Sequence, residues 1–99
     1  VQTERIQFGP GETSALREDG VERGARRVYV LGAVSGQTLN VQITSLEDNA
    51  VFDVIAPDGT VLTQEVKDAS VRLSSDGDYQ IVVGGTRGNA SYSLTVAIP

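Results

Sequence analysis

Hydrophobic and polar residues alternate along most of this chain, and the alternation is clearest toward its C-terminus. Tyr79, Ile81 and Val83 share one face of a first strand, and Tyr92, Leu94, Val96 and Ile98 share one face of a second. A polar, glycine-rich stretch, residues 84–89, joins them. Upstream, residues 38–44 alternate as cleanly, with Leu39, Val41 and Ile43 inward, and residues 28–34 form another strand. Phe52 and Val54 point inward from residues 51–55. Residues 3–8 read as a short first strand, broken by Gly9-Pro10-Gly11. Residues 12–21 are polar and only weakly alternating, which predicts an irregular edge strand ending in a turn at Asp19-Gly20. Val61-Leu62 is a stub of strand, and residues 67–73 form a weaker one.

Turn residues punctuate these segments about every ten residues, the spacing of a sandwich. Ser35-Gly36, Glu47-Asp48-Asn49, Pro57-Asp58-Gly59-Thr60 and Ser74-Ser75-Asp76-Gly77 supply the breaks. No amphipathic helix, internal repeat or low-complexity tract is present. The pattern predicts an all-β protein, an antiparallel β-sandwich (jelly-roll or Ig-like) of about eight strands, with residues 1–99 as a single domain. Its expected core holds Ile6, Phe8, Tyr29, Leu31, Leu39, Val41, Ile43, Phe52, Val54, Leu73, Tyr79, Ile81, Tyr92, Leu94 and Val96.

Composition narrows the chemistry. The chain has 99 residues with neither cysteine nor histidine. Disulfides, thiolate metal sites, histidine-ligated zinc and histidine-dependent triads are therefore excluded. The net charge of −5 argues against general affinity for nucleic acid or anionic membranes. No apolar run reaches membrane-spanning length, so no membrane insertion is expected. A chain that begins at Val1 and holds no methionine is expected to be a processed or excised piece.

Several ordered motifs resemble those of the bacterial pre-peptidase C-terminal (PPC-like) domain. They are Ile6-x-Phe8-x-Pro10-Gly11, Tyr29-x-Leu31-x-Ala33-x-Ser35-Gly36-Gln37-Thr38-Leu39, Phe52-x-Val54-x-x-Pro57-Asp58-Gly59, Gly77-Asp78-Tyr79-x-Ile81-x-Val83 and Ser91-Tyr92-x-Leu94-x-Val96. Periplasmic inhibitors of invertebrate-type lysozyme look similar in architecture. The resemblance implies a small extracytoplasmic sandwich, periplasmic, cell-envelope or secreted, and not an enzyme. It implies no cofactor, a protein or extracellular polymer as partner, and a monomeric domain. The chain departs from many members in having no tryptophan, which disfavours an aromatic platform for sugar or collagen. The acidic calcium cluster of collagenase relatives is not recognisable in residues 1–20.

The candidate partner site is the loop with Gly85, Thr86, Arg87, Gly88 and Asn89. Its glycines free the backbone, and Arg87 offers a planar fork of donors that matches carboxylates. A lysozyme cleft presents catalytic carboxylates, so such a loop could plug it. The competing reading is an ordinary hairpin loop with a solvated arginine. Gly77, Tyr79 and Tyr92 are expected to be structural, with the Tyr79 hydroxyl bonded to nearby backbone. Asp76 and Asp78 are weak calcium candidates, since they supply only part of the oxygen shell that ion needs. Asp58 is a turn residue. Arg23, Arg26 and Arg27, beside Glu18, Asp19 and Glu22, read as a solvated mixed-charge surface. Glu47 and Asp48, adjacent in sequence, would point to opposite faces of a strand and make a poor catalytic pair.

The function expected is a non-catalytic accessory or binding domain of an exported bacterial protein. The alternatives are a lysozyme inhibitor that inserts residues 84–89, and a calcium-stabilised module.

Overall fold

Alternation at period two buries one row of each strand and wets the other, and two such sheets close face to face. The computed structural model describes residues 2–7, 13–22, 25–45, 49–85 and 90–98. They contain nine strands: β1 (Gln2–Arg5), β2 (Ser14–Val21), β3 (Arg26–Ala33), β4 (Thr38–Ser45), β5 (Ala50–Ile55), β6 (Val61–Val66), β7 (Asp68–Arg72), β8 (Gly77–Gly85) and β9 (Ala90–Ala97). One sheet has the order β1-β3-β8-β5-β6 and the other β2-β9-β4-β7. The fold is the β-sandwich expected. Consecutive strands change sheet at every step except β5 to β6, which pair as an antiparallel hairpin.

The inward rows of β4, β5, β8 and β9 make the core. Leu31, Leu39, Val41, Phe52, Val54, Leu73, Tyr79, Ile81, Val83, Leu94 and Val96 are all fully buried. Val21, Ala33, Ala50, Val83, Ala90 and Ile98 extend the core beyond the residues expected from sequence. Phe8 lies outside the described residues.

Tyr29 on β3 and Tyr92 on β9 face each other from opposite sheets, and their hydroxyl oxygens lie 2.6 Å apart. Each hydroxyl gives the other the partner that a buried polar group requires. Burial pushes both phenols above the usual tyrosine range, and the bond from Tyr29 pushes Tyr92 further. Beside this pair, Arg17 bonds Glu4, and Arg27 bonds Asp19 at 2.9 Å, closing the β1–β2 side of the sandwich.

Four details differ from the sequence reading. β1 pairs with β3 in parallel, so that sheet is mixed. Asp19-Gly20 is not a turn: β2 continues through both residues, paired to Tyr92 and Ser91. Asp19 instead serves the Arg27 ion pair. β6 is a six-residue strand rather than a stub; register breaks on either side of Val54 and a left-handed Glu65 (φ 49°) obscure its alternation. Glu65 N–H donates to Asp53 Oδ1 at 2.7 Å, which anchors the irregular turn of chain. β8 runs on through Gly84 and Gly85, which are strand and not loop.

Candidate functional site

Strand directions sort the connections onto two ends of the sandwich. Gly85 pairs with Ala50, Gly84 with Arg26, and Ala90 with Val21. The β2–β3, β4–β5 and β8–β9 connections therefore gather at one end. The β3–β4, β5–β6 and β7–β8 connections gather at the other, where Ala33 pairs with Gly77 and Ser14 with Ala97.

The loop candidate belongs to the first end. Because β8 and β9 lie in different sheets, the β8–β9 connection bridges the sandwich; the hairpin reading is corrected. Gly85 is the last residue of β8. Thr86, Arg87, Gly88 and Asn89 lie outside the described residues. Gly84 sits between Arg26 on β3 and Val51 on β5. The Arg26 guanidinium lies directly over Gly84, and a β-carbon there would come within 2.8 Å of Arg26 Nη1. Glycine at this strand position thus admits a side chain from the neighbouring strand. Arg26 Nη1 also donates to the Ala25 carbonyl at 3.0 Å. Arg26, Val51, Asp53, Gln64, Glu65 and Gly85 line a shallow hollow of about 260 Å³ on this outer face.

At sequence level Arg26 is only one member of a solvated cluster. The structure separates that cluster: Arg26 covers Gly84 at the root of the loop, Arg27 pairs with Asp19, and Arg23 lies outside the described residues. No local signal pointed to Arg26: Gly84 is the last residue but one of β8 and, beside Gly85, reads in sequence as the start of the loop. Glu47 and Asp48 also lie outside the described residues.

The opposite end carries Asp76, Gly77, Asp78 and Tyr79. Gly77 has φ 140°, and a β-carbon there would meet Pro57 Cγ at 2.9 Å. Asp76 Oδ1 accepts the Ser35 N–H at 2.7 Å. Asp78 Oδ2 accepts from Arg5 Nη2 at 2.7 Å. Each carboxylate thus has its own protein partner, and no group of three or more acidic side chains suited to a metal occurs among the described residues. Tyr79 is buried and its hydroxyl donates to the Ser75 carbonyl at 2.7 Å, tying the β7–β8 turn to the core. Asp58 accepts the Thr60 N–H at 3.0 Å, and that bond holds its carboxyl below the usual carboxylate range. Tyr92 is the buried cross-sheet partner of Tyr29.

No family model and no curated protein matches the chain. Solved structures do. The periplasmic inhibitor of g-type lysozyme from Aeromonas hydrophila, PliG, superimposes with a TM-score of 0.89 and 28% identity, covering 99% of this chain and 96% of that one. This chain has the sandwich of the periplasmic lysozyme inhibitors. PliG from Salmonella Typhimurium gives a TM-score of 0.80 at 20% identity, over 100% of this chain and 99% of that one. The pre-peptidase C-terminal domain of a Bacillus anthracis collagenase gives 0.75 at 13% identity, over 96% and 94%. Both halves of the sequence resemblance are therefore present in the fold, with g-type in place of invertebrate-type lysozyme as the target of the similar inhibitors. The location outside the cytoplasm follows with them. The likeness to the Aeromonas hydrophila inhibitor supports a non-catalytic binding role.

Proposed function

We propose that this protein is an inhibitor of a g-type lysozyme, and that residues 86–89 enter the enzyme's cleft with Arg87 as the leading contact. The observation that carries this reading is the match to the Aeromonas hydrophila inhibitor over nearly the whole of both chains. The geometry at the loop root supports it. β8 and β9 are each held by strands on both sides, so the loop leaves a rigid frame. A loop fixed at both roots loses less freedom on docking than a free one. Arg87 would offer parallel N–H donors to a carboxylate, and a glycosidase cleft supplies two. Removing such a pair from water carries a desolvation cost that the attraction offsets only where the geometry is good, which a planar fork favours over an ammonium.

The test is lysis by goose-, chicken- and invertebrate-type lysozymes with and without the purified protein. Inhibition of the g-type enzyme near one-to-one stoichiometry is expected, with the other classes little affected. Unchanged lysis by all three at large excess contradicts the proposal. It would leave an accessory binding domain whose partner is a different protein or an extracellular polymer.

A further inference from the structure

Strand β8 ends in two glycines. Tyr79, Ile81 and Val83 face the core, so Gly84 falls on the outer face of its sheet, where strand residues meet water. Gly84 is nonetheless buried. It has no side chain of its own, so a neighbour covers it. That neighbour is Arg26, its β3 partner in the ladder. A β-carbon on Gly84 would lie 2.8, 2.9 and 3.0 Å from Arg26 Nη1, Cζ and Nε. Near-equal distances to three atoms of a planar group place that point over its face. The guanidinium therefore lies flat across the glycine.

Local bonds keep the guanidinium in place. Arg26 Nη1 donates to the Ala25 carbonyl at 3.0 Å, and Ala25 N–H donates in turn to the Glu22 carbonyl at 2.9 Å. The contact thus ties the β2–β3 connection to the root of the β8–β9 loop. Arg5, Arg17 and Arg27 each pair with a carboxylate; among the described residues Arg26 has no such pair. Asp53, which lines the same hollow, accepts the Glu65 N–H instead.

Resting on the inhibitor reading, we infer that Arg26 is a positioning residue for the inhibitory loop: it clamps the Gly84–Gly85 root from which residues 86–89 extend. Glycine has the widest backbone freedom of any residue, and two in a row at a strand end invite fraying. Laid over Gly84, the guanidinium supplies the cover that a side chain would give. Without it, only a fraction of molecules hold the loop root ready to dock, and the apparent affinity falls by that fraction. The loss belongs to association, because the docked complex keeps its contacts with the enzyme. Loss of a direct contact would instead speed dissociation.

Two measurements on the whole chain test this. In the free protein, backbone amide order parameters of Gly84 and Gly85 from NMR relaxation are expected near ~0.85 in the wild type, falling toward ~0.6 in Arg26→Ala. In binding kinetics with a g-type lysozyme, Arg26→Ala is expected to slow association ~3–10-fold and leave dissociation unchanged. Arg26→Lys keeps the charge but loses the planar group, so it should behave as Arg26→Ala does. Arg26 is exposed, so thermal melts should confirm intact folds. Order parameters unchanged by Arg26→Ala overturn the clamp. Wild-type association in Arg26→Lys assigns the effect to charge and overturns positioning, as does a loss confined to dissociation. A wild-type protein that binds no g-type lysozyme removes the inhibitor reading, and the order parameters alone then decide whether Arg26 clamps the root.

Discussion

The two buried tyrosines tie the sheets together, and their ionisation should govern behaviour at high pH. Burial raises both phenols above their unfolded value of about 10. Below that pH both states are protonated, and the pair contributes its full stability. Above it the unfolded chain releases protons that the folded chain holds, so stability falls as pH rises. Alkaline unfolding should begin above about pH 10, and Tyr92→Phe should soften its pH dependence while depriving the buried Tyr29 hydroxyl of its Tyr92 partner, at a cost of about 1–3 kcal/mol at neutral pH. Denaturant melts from pH 7 to 11 with far-UV circular dichroism check both. At the core, Phe52 is fully buried, so Phe52→Ala should cost about 3–5 kcal/mol. At Gly77, where φ is 140° and Pro57 lies against the missing β-carbon, Gly77→Ala should cost about 1–3 kcal/mol in the same melts.

Among the elements, those with regular alternation could be read directly from sequence. β4, β5, β8 and β9 each bury every second residue, and period two is the signal that reading depends on. β6 was legible only at its start, because its breaks and Glu65 put the later residues out of phase. β2 was blurred for another reason: Arg17 and Asp19 sit on its inward side but reach ion-pair partners at the sandwich margin. Inward polarity there mimics a loop. Pairing direction is carried by no local pattern, so the parallel β1–β3 contact and the bridging path of the β8–β9 connection needed the structure. At the site, the Arg26–Gly84 contact is long-range and left no local trace, since Gly84 and Gly85 read as loop in sequence but continue β8 in the structure. That contact predicts the effect of Gly84→Val. The new side chain must displace the Arg26 guanidinium, and the cost should shrink in an Arg26→Ala background. A double-mutant cycle by thermal melt reads the coupling.

For the whole molecule, a five-on-four-stranded sandwich serves as a rigid mount for its end loops. Covalent staples are absent, since the chain has no cysteine, and the ion pairs at the β1–β2 margin are part-exposed and worth at most about 1 kcal/mol each. Rigidity therefore rests on the core and the strand ladders. Net charge of −5 gives no general attraction to a carboxylate-lined cleft, so affinity must come from local contacts at the loop. The most direct measurement is the affinity for a g-type lysozyme by titration calorimetry, comparing Arg87→Ala with Arg72→Ala. Arg72 ends β7 near the opposite end of the sandwich and pairs with Thr38. Insertion of the β8–β9 loop predicts a loss of about 10–100-fold or more for Arg87→Ala and little change for Arg72→Ala. Equal effects of the two substitutions, or no binding by the wild-type protein, would contradict it.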